Sequence, residues 1–165
     1  MSTKEYVSTK EQAAWIRAAL KAAFPGRKFS VRKSSGSAVC IDWTDGPTVE
    51  QVQAVSRKFE LEGFDGMTDM RYDIPLTIDG REVFGGGLIL EQRSISNEWR
   101  AEILAEFERI TARSIPDPDV RGSGYYEIRL PLSVDRNDGA LYHMVESETE
   151  YVSDLVHRYA AQRSR

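Results

Sequence analysis

The sequence predicts an α+β protein in which helices pack on one face of a mainly antiparallel sheet. Four segments have apolar residues at helical spacing, and between them lie segments in which apolar and polar residues alternate. Short runs of glycine, serine or aspartate separate these segments in pairs, as in β-hairpins. The predicted order is α-ββ-α-(β)ββ-α-ββ-α. The length of 165 residues favours a single domain over 1–165.

The first helix is predicted from Lys10 to Phe24. Thr9 and Gln12 have the spacing of a capping box, in which two side chains satisfy free amides at the start of a helix. Apolar residues then recur every three or four positions. Pro25-Gly26 ends the helix, because proline lacks an amide hydrogen and clashes with the preceding turn.

A β-hairpin and a second helix follow. The strands are predicted at Arg27–Val31 and Ala38–Trp43, where apolar and polar residues alternate on either side of a serine-glycine turn. Thr48 and Gln51 form a second capping box. The helix that they begin is expected to end near Gly63.

The middle of the chain is predicted to hold a strand at Met67–Tyr72 and a tight hairpin at Thr77–Phe84, whose Asp79-Gly80 pair suits a turn with positive φ. The run Gly85–Gly87 resembles a phosphate-binding loop. Such a loop is followed by the start of a helix, whereas here an apolar strand, Leu88–Gln92, follows. The glycine run therefore predicts a bulge in the strand that returns from the hairpin.

The segment 113–124 is the best candidate for a break into two subdomains, because it is rich in proline and glycine. A third helix precedes it. A third hairpin follows it, with strands at Tyr126–Leu132 and Leu141–Val145. The last helix is predicted to begin at a capping box formed by Ser147 and Glu150.

The charge is distributed unevenly along the chain. The net charge is −4, yet residues 1–33 carry +6 and the remainder carries −10. The basic stretch 26–33 has four cations and no acid, which suits contacts to nucleic-acid phosphates. The same cations suit an ordinary solvated surface, so both interpretations stay open. The candidate nucleic-acid-binding residues are Arg27, Lys28, Arg32 and Lys33.

The acidic remainder of the chain points to a different role, which is binding to a basic surface of a partner protein. Acidic residues in the first turn of a helix also stabilise that helix through its dipole, so several of them are explained without a partner. The candidate partner-binding residues are Glu98, Glu102, Glu106, Glu146 and Glu150.

Few residues are suited to catalysis or metal binding. Cys40 lies in an alternating strand and is predicted to be a core residue, and His143 and His157 are predicted to be buried beside apolar neighbours. Three aspartates between 65 and 73 are spaced at four, but the glycines around them favour a solvated strand over a metal-binding helix. The sequence argues against an enzyme, and it predicts no bound metal and no cofactor.

No segment predicts insertion into a membrane. No apolar run approaches the roughly 18 residues that span a bilayer. The segment Met1–Lys10 is polar and lacks the apolar core of a signal peptide. The protein is therefore expected to be soluble and cytoplasmic.

Three stretches resemble a known family: AAFPGRKFSVR at 22–32, WTDGPT at 43–48 and FDGMTD at 64–69. With them, the region of about 10–112 is similar to the large polyvalent protein-associated domain, type 29. The resemblance implies a protein of phages or conjugative elements, of a kind suspected of helping an incoming element to establish itself or to evade host defence. It implies no catalytic residues.

These observations lead to two main hypotheses. The first is a non-catalytic interaction protein of a phage or plasmid, acting in counter-defence (anti-CRISPR or antirestriction) by binding a host protein. The alternative is an accessory module that binds nucleic acid through 26–33. A small enzyme built around His143 or His157 is the weakest of the three. The identity of a host or phage protein partner, and the oligomeric state, stay open.

Overall fold

The computed structural model describes residues 4–34, 37–111, 127–129 and 149–164. It confirms the predicted α+β class, with several antiparallel strand pairs in small sheets. The chain divides into two compact units, Met1–Ser94 and Ile95–Arg165. The predicted break at 113–124 lies outside the described residues and stays a prediction.

Within its described residues, the first unit holds two α-helices and eight strands in three small sheets. The sheet orders are β1-β7-β6, β2-β3-β8 and β4-β5. The helices are α1 (Thr9–Ala23) and α2 (Val49–Ser56), and a 3₁₀ turn at Arg57–Phe59 follows α2. The strands are β1 (Lys4–Val7), β2 (Ser30–Lys33), β3 (Ala38–Thr44), β4 (Glu62–Asp65), β5 (Met70–Asp73), β6 (Leu76–Ile78), β7 (Arg81–Gly85) and β8 (Leu88–Ser94).

Strand β3 is the centre of the main sheet. It pairs antiparallel with β2, which confirms the first predicted hairpin. It also pairs parallel with β8, from Ala38 opposite Leu88 to Thr44 opposite Ser94. A second parallel pair joins β1 to β7. Parallel pairs need a long crossover connection, and so neither was visible in the local pattern.

The core of the first unit lies between this sheet and the two helices. Val39, Ile41 and Trp43 alternate along β3 and are buried, as their spacing predicted. Cys40 lies on the opposite face of β3 and is half-buried, so it is not the core residue that was expected. The other buried members of this cluster are Ala13, Ile16, Leu20, Val31, Val52 and Ile89.

Helix α1 begins one residue earlier than predicted. Its N-cap is Ser8, whose side chain accepts a bond from the Glu11 amide at 3.3 Å, while the Glu11 carboxylate accepts from the Ser8 amide at 2.9 Å. The bonds that the Ser8 amide and the Ser8 hydroxyl donate to this carboxylate lower the pKa of Glu11. The predicted box at Thr9 and Gln12 is wrong, because both side chains are buried and bond to other parts of the chain.

The run Gly85–Gly87 carries the chain from one sheet to the other. Gly85 and Gly86 have φ values of 96° and 68°, where only glycine is unstrained. The buried amide of Gln12 donates to the Gly87 carbonyl (3.0 Å) and accepts from the Gly87 N–H (2.9 Å). The predicted bulge is wrong, because β7 and β8 lie in different sheets.

Two further local predictions in the first unit have different outcomes. The capping box at Thr48 and Gln51 is present, but α2 ends at Ser56 and its 3₁₀ turn at Phe59, before the expected Gly63. The hairpin with its turn at Asp79 and Gly80 is confirmed, with φ values of 49° and 76°.

The second unit is described in part. It contains α3 (Asn97–Thr111), β9 (Glu127–Arg129), β10 (Thr149–Tyr151) and α4 (Val152–Ala161), and β9 pairs antiparallel with β10. Phe107 on α3 is fully buried and makes an edge contact with Tyr159 on α4 at 5.5 Å. The predicted cap of the last helix is wrong, because Glu150 lies in β10.

Candidate functional site

The β4–β5 hairpin, Glu62–Asp73, presents large apolar side chains to solvent. Met67 at its turn is 95% exposed and Met70 is 65% exposed. Phe64 and Tyr72 are exposed by 51% and 54%. Scattered single apolar residues are normal on a protein surface, whereas a cluster marks an interaction site. This hairpin is therefore the leading candidate for a binding surface.

The two faces of the hairpin differ. Antiparallel partners share a face, so Tyr72 lies with Gly63 and Met70 lies with Asp65. The Tyr72 ring occupies the space that a side chain at position 63 would need. Met70 and Tyr72 therefore form a continuous apolar strip on this face.

The opposite face is turned toward the rest of the first unit. Arg71 lies on it, and its guanidinium donates to the hydroxyl of Ser37. The same guanidinium contacts Glu62 at 3.3 Å, and the Glu62 side chain is only 14% exposed. These contacts attach the hairpin to the unit through the face of Arg71, on which Phe64 is still 51% exposed, and they leave Met70 and Tyr72 exposed on the other, outward face.

The turn of the hairpin is ordered by Asp65. Its carboxylate accepts bonds from the Met67 amide and from the Thr68 hydroxyl, both at 2.9 Å. These bonds lower the pKa of Asp65 because they favour its charged form, and the bond from the Met67 amide has the largest effect. Asp69 completes the turn with a φ of 54°. Met67 is thus held at the tip by an ordered turn.

The hairpin is also acidic. Residues 62–73 carry four carboxylates and one guanidinium, a net charge of −3. The three aspartates do not share one strand face as predicted, because Asp65 ends β4, Asp69 is in the turn and Asp73 ends β5. Among the described residues, no group of three or more histidine, cysteine or acidic side chains is arranged to hold a metal ion.

The basic stretch 26–33 is partly neutralised. Arg32 forms an ion pair with Asp42 at 2.9 Å on the neighbouring strand. Arg27 lies against Gly46. Lys28 and Lys33 are exposed, and neither forms an ion pair with any residue that the structure describes. The prediction that these four cations bind nucleic acid therefore depends mainly on the two lysines.

An open groove of about 560 Å³ borders the basic stretch, and its lining includes Arg27, Lys28, Thr44 and Ser94. Phe29 also lines this groove. Its half-buried ring lies 5.7 Å from Phe24 and 5.8 Å from Trp43. The aromatic residue of the basic stretch therefore packs against the core and also borders the groove.

The stretch Trp43–Thr48 has a structural role. Asp45 and Gly46 have φ values of 56° and 63°, and the Arg93 guanidinium donates to both of their carbonyls, at 3.2 and 2.8 Å. Burial lowers the pKa of Arg93. The Trp43 indole donates to the Pro47 carbonyl at 2.9 Å. These bonds fix the turn from which α2 begins.

The family model for the large polyvalent protein associated domain 29 matches residues 7–98 of this chain, which is more than half of its length. The chain belongs to this family. Membership associates it with phages and other mobile genetic elements. No curated protein and no solved structure matches the chain. The matched region of this domain 29 protein includes the β4–β5 hairpin, the basic stretch and the Trp43–Thr48 turn.

In this domain 29 protein the predicted acidic face is also partly neutralised. Glu106 accepts two bonds from the Arg109 guanidinium, at 2.8 and 3.0 Å, and these lower the pKa of Glu106. Glu98 and Glu102 are exposed on the same helix face. Glu146 lies outside the described residues. The partner-binding role of these residues stays a prediction.

The candidate catalytic residues are not brought together among the described residues. His157 on α4 is exposed, so the prediction that it is buried is wrong. His143 lies outside the described residues. Among the described residues of this domain 29 protein, no helix is both long and apolar enough to span a bilayer.

Acidification should loosen the turn of the β4–β5 hairpin. A carboxyl whose pKa is lowered by folding stabilises the folded form above its unfolded pKa, near 4, and this stabilisation is lost as the pH falls through the lower folded pKa. Asp65 is such a group. We expect amide exchange of Met67, corrected for its intrinsic rate, to accelerate as the pH falls below about 4.

The Asp65→Ala variant provides the reference for this measurement, because it lacks the acceptor of the Met67 amide. Its Met67 amide should exchange fast throughout the titration. If the two proteins show the same pH dependence at Met67, then Asp65 does not order the turn.

Proposed function

We propose that this chain is a non-catalytic interaction protein of a phage or plasmid, and that it acts in counter-defence by binding a host protein. The observation that carries the proposal is the exposure of four large apolar side chains on the β4–β5 hairpin of a domain 29 protein. Buried apolar contacts supply most of the energy of protein association, and aromatic and methionine side chains are enriched at such interfaces.

The charge of the hairpin supports a protein partner over the other classes of partner. Its net charge of −3 repels nucleic-acid phosphates and anionic lipid headgroups. The same charge attracts a basic protein surface. The bonds to Asp65 and the contacts of Arg71 hold the hairpin in one conformation before binding. Less conformational entropy is therefore lost when it binds.

Site-specific crosslinking in a bacterial host tests this proposal. A photo-reactive amino acid at Met67 is expected to crosslink one host protein, whereas the same group at Ala18, an exposed position on α1, should not. The counter-defence role predicts that expression raises phage plating on a host with the targeted restriction or CRISPR system. Met67→Ser should lose both effects, and Leu90→Ser, at an exposed leucine of another sheet, should keep both.

Two results would contradict the proposal. One is equal crosslinking from positions 67 and 18, which would show that the hairpin is not the contact surface. The other is plating that does not depend on expression in any of a panel of hosts with different defence systems. The second result would remove the counter-defence role and leave protein binding in place.

Nucleic-acid binding is the second candidate function, and it is supported by the exposure of Lys28, which lines the groove, and of Lys33 on β2. Binding through these lysines should weaken steeply as salt concentration rises. Gel-shift measurements at low salt with Lys28→Gln/Lys33→Gln, and with Lys10→Gln/Lys58→Gln as a charge-matched control, test it. If the two double variants bind nucleic acid equally well in the gel shift, then the basic stretch is excluded as the binding site.

A further inference from the structure

We propose that the outward face of the β4–β5 hairpin binds a basic amphipathic segment of its partner, one that carries lysine or arginine beside leucine, isoleucine or phenylalanine. Met67, Met70 and Tyr72 make the apolar contact, and the hairpin carboxylates face the cations. This inference rests on the proposed function, because it names the chemistry of the protein that the hairpin binds.

The apolar part of the surface has the composition of an adaptable binding site. Two of its three members are methionines, and their flexible thioether side chains adjust to apolar groups of different shapes. Tyr72 adds a flat ring that is held in place on Gly63. Met70 and Tyr72 share the outward face and Met67 stands at the tip, so one segment of a partner can contact all three.

The charged part of the surface selects a cationic segment. Asp69 and Asp73 are exposed, and neither forms an ion pair within the described part of the chain. Asp65 is paired with Met70 across the strands and keeps its charge to low pH, because its pKa is lowered. Asp65 and Asp69 thus border the apolar strip at the turn, and the exposed Asp73 follows Tyr72 at its far end, on the face of Arg71. Cations beside the apolar side chains of the partner would meet them.

The size of the surface limits the length of the segment. Each strand has four residues, which corresponds to about 14 Å. An α-helix rises 1.5 Å per residue, so a helical segment of about nine residues covers that length. The hairpin is ordered before binding at its turn and at Arg71, and most of the ordering cost therefore falls on the partner.

The experiment uses three synthetic fluorescent peptides of fourteen residues with the same helical pattern. The first has leucine on one face and lysine on the other, the second replaces lysine with glutamate, and the third replaces leucine with serine. Anisotropy titrations with the full chain should give a Kd for the lysine-leucine peptide that is at least about tenfold lower than for the other two. Equal binding of the glutamate peptide or of the serine peptide would overturn the proposal.

Variants locate the binding site. Met67→Ser/Met70→Ser should raise the Kd of the lysine-leucine peptide by about tenfold or more, whereas the control Leu90→Ser should leave it unchanged. Tyr72 is retained in the variant because its ring packs on Gly63, so that the hairpin keeps its fold. Circular dichroism and the midpoint of thermal unfolding should match those of the unmodified protein.

The carboxylates are tested in the same way. Asp69→Asn/Asp73→Asn should raise the Kd several-fold at low salt and flatten its dependence on salt. Asparagine tolerates the positive φ at position 69, so the turn is preserved. The control Glu50→Gln/Asp79→Asn removes the same charge elsewhere and should change little. Equal effects of the two variants would show attraction by net charge alone, against the proposal.

Failure of this inference is distinguishable from failure of the proposed function. If the host protein still crosslinks at Met67 but the lysine-leucine peptide does not bind, then the hairpin is a docking surface for a partner of different chemistry. If crosslinking at Met67 also fails, then the docking function itself is wrong.

Discussion

Replacing Gly87 with alanine should destabilise the first unit by more than about 3 kcal/mol. A Cβ at position 87 would overlap the Ser37 carbonyl, which belongs to the backbone and cannot rotate away. This overlap can be relieved only if the chain between the two sheets moves. Such a movement would also break the two hydrogen bonds that join the Gln12 amide to Gly87.

Urea unfolding followed by circular dichroism measures this effect. Gly66→Ala is the matched control, because a Cβ at that turn position meets nothing within 4 Å. The free energy of unfolding of the control should lie within about 0.5 kcal/mol of that of the unmodified protein. Similar unfolding midpoints for the two alanine variants would show that the glycine junction is not closely packed.

Trp43→Ala should lower the free energy of unfolding by about 3–5 kcal/mol, the usual range for truncating a buried aromatic residue. Trp43 is 4% exposed and packs with Phe29 in the main core. Its indole also satisfies the buried carbonyl of Pro47. Loss of the ring leaves a cavity under β3 and an unpaired carbonyl at the turn that precedes α2.

Trp43→Phe separates the two contributions. It keeps much of the buried apolar area but removes the indole donor and the volume of one ring, so the expected loss in the free energy of unfolding falls to about 1–3 kcal/mol. Both variants are compared with the unmodified protein by urea unfolding. Equal costs for phenylalanine and alanine would mean that the hydrogen bond to Pro47, rather than the packing of the ring, dominates at this position.

Much of the fold follows from short-range patterns in the sequence. Alternation along β3 identified its buried face, and the Thr48–Gln51 spacing identified the start of α2. The Asp79-Gly80 pair identified a hairpin because few residues adopt positive φ without strain. Each of these features depends on residues that are close together in the chain.

The parallel pairs could not be predicted in this way. Partners in β1 and β7 lie about 78 residues apart in the chain, and nothing in four residues such as Lys4–Val7 reveals a distant neighbour. The role of Gln12 could not be predicted from the local sequence either. Its spacing from Thr9 resembles a cap, but tertiary burial against Gly87 determines its role.

The candidate site was missed for a local reason. Asp65-Gly66 is a turn signal of the same kind as Asp79-Gly80, and reading it as one would have placed strands on both sides. The predicted strand instead runs from Met67 to Tyr72, through the observed turn. The exposure of Met67 and Met70 was not predictable from alternation, because a two-stranded ribbon with one attached face does not bury its outer side.

The hydrogen bonds around Gly86 and Gly87 also set a condition on folding during synthesis. The Val7 carbonyl, the Thr9 hydroxyl and the Gln12 amide all bond to this pair, which the ribosome adds more than seventy residues later. Helix α1 can form as soon as it leaves the exit tunnel, but its polar contacts wait for the glycines. The first unit therefore completes its packing only after β8 has emerged, and until then the start of the chain is exposed to chaperones and proteases.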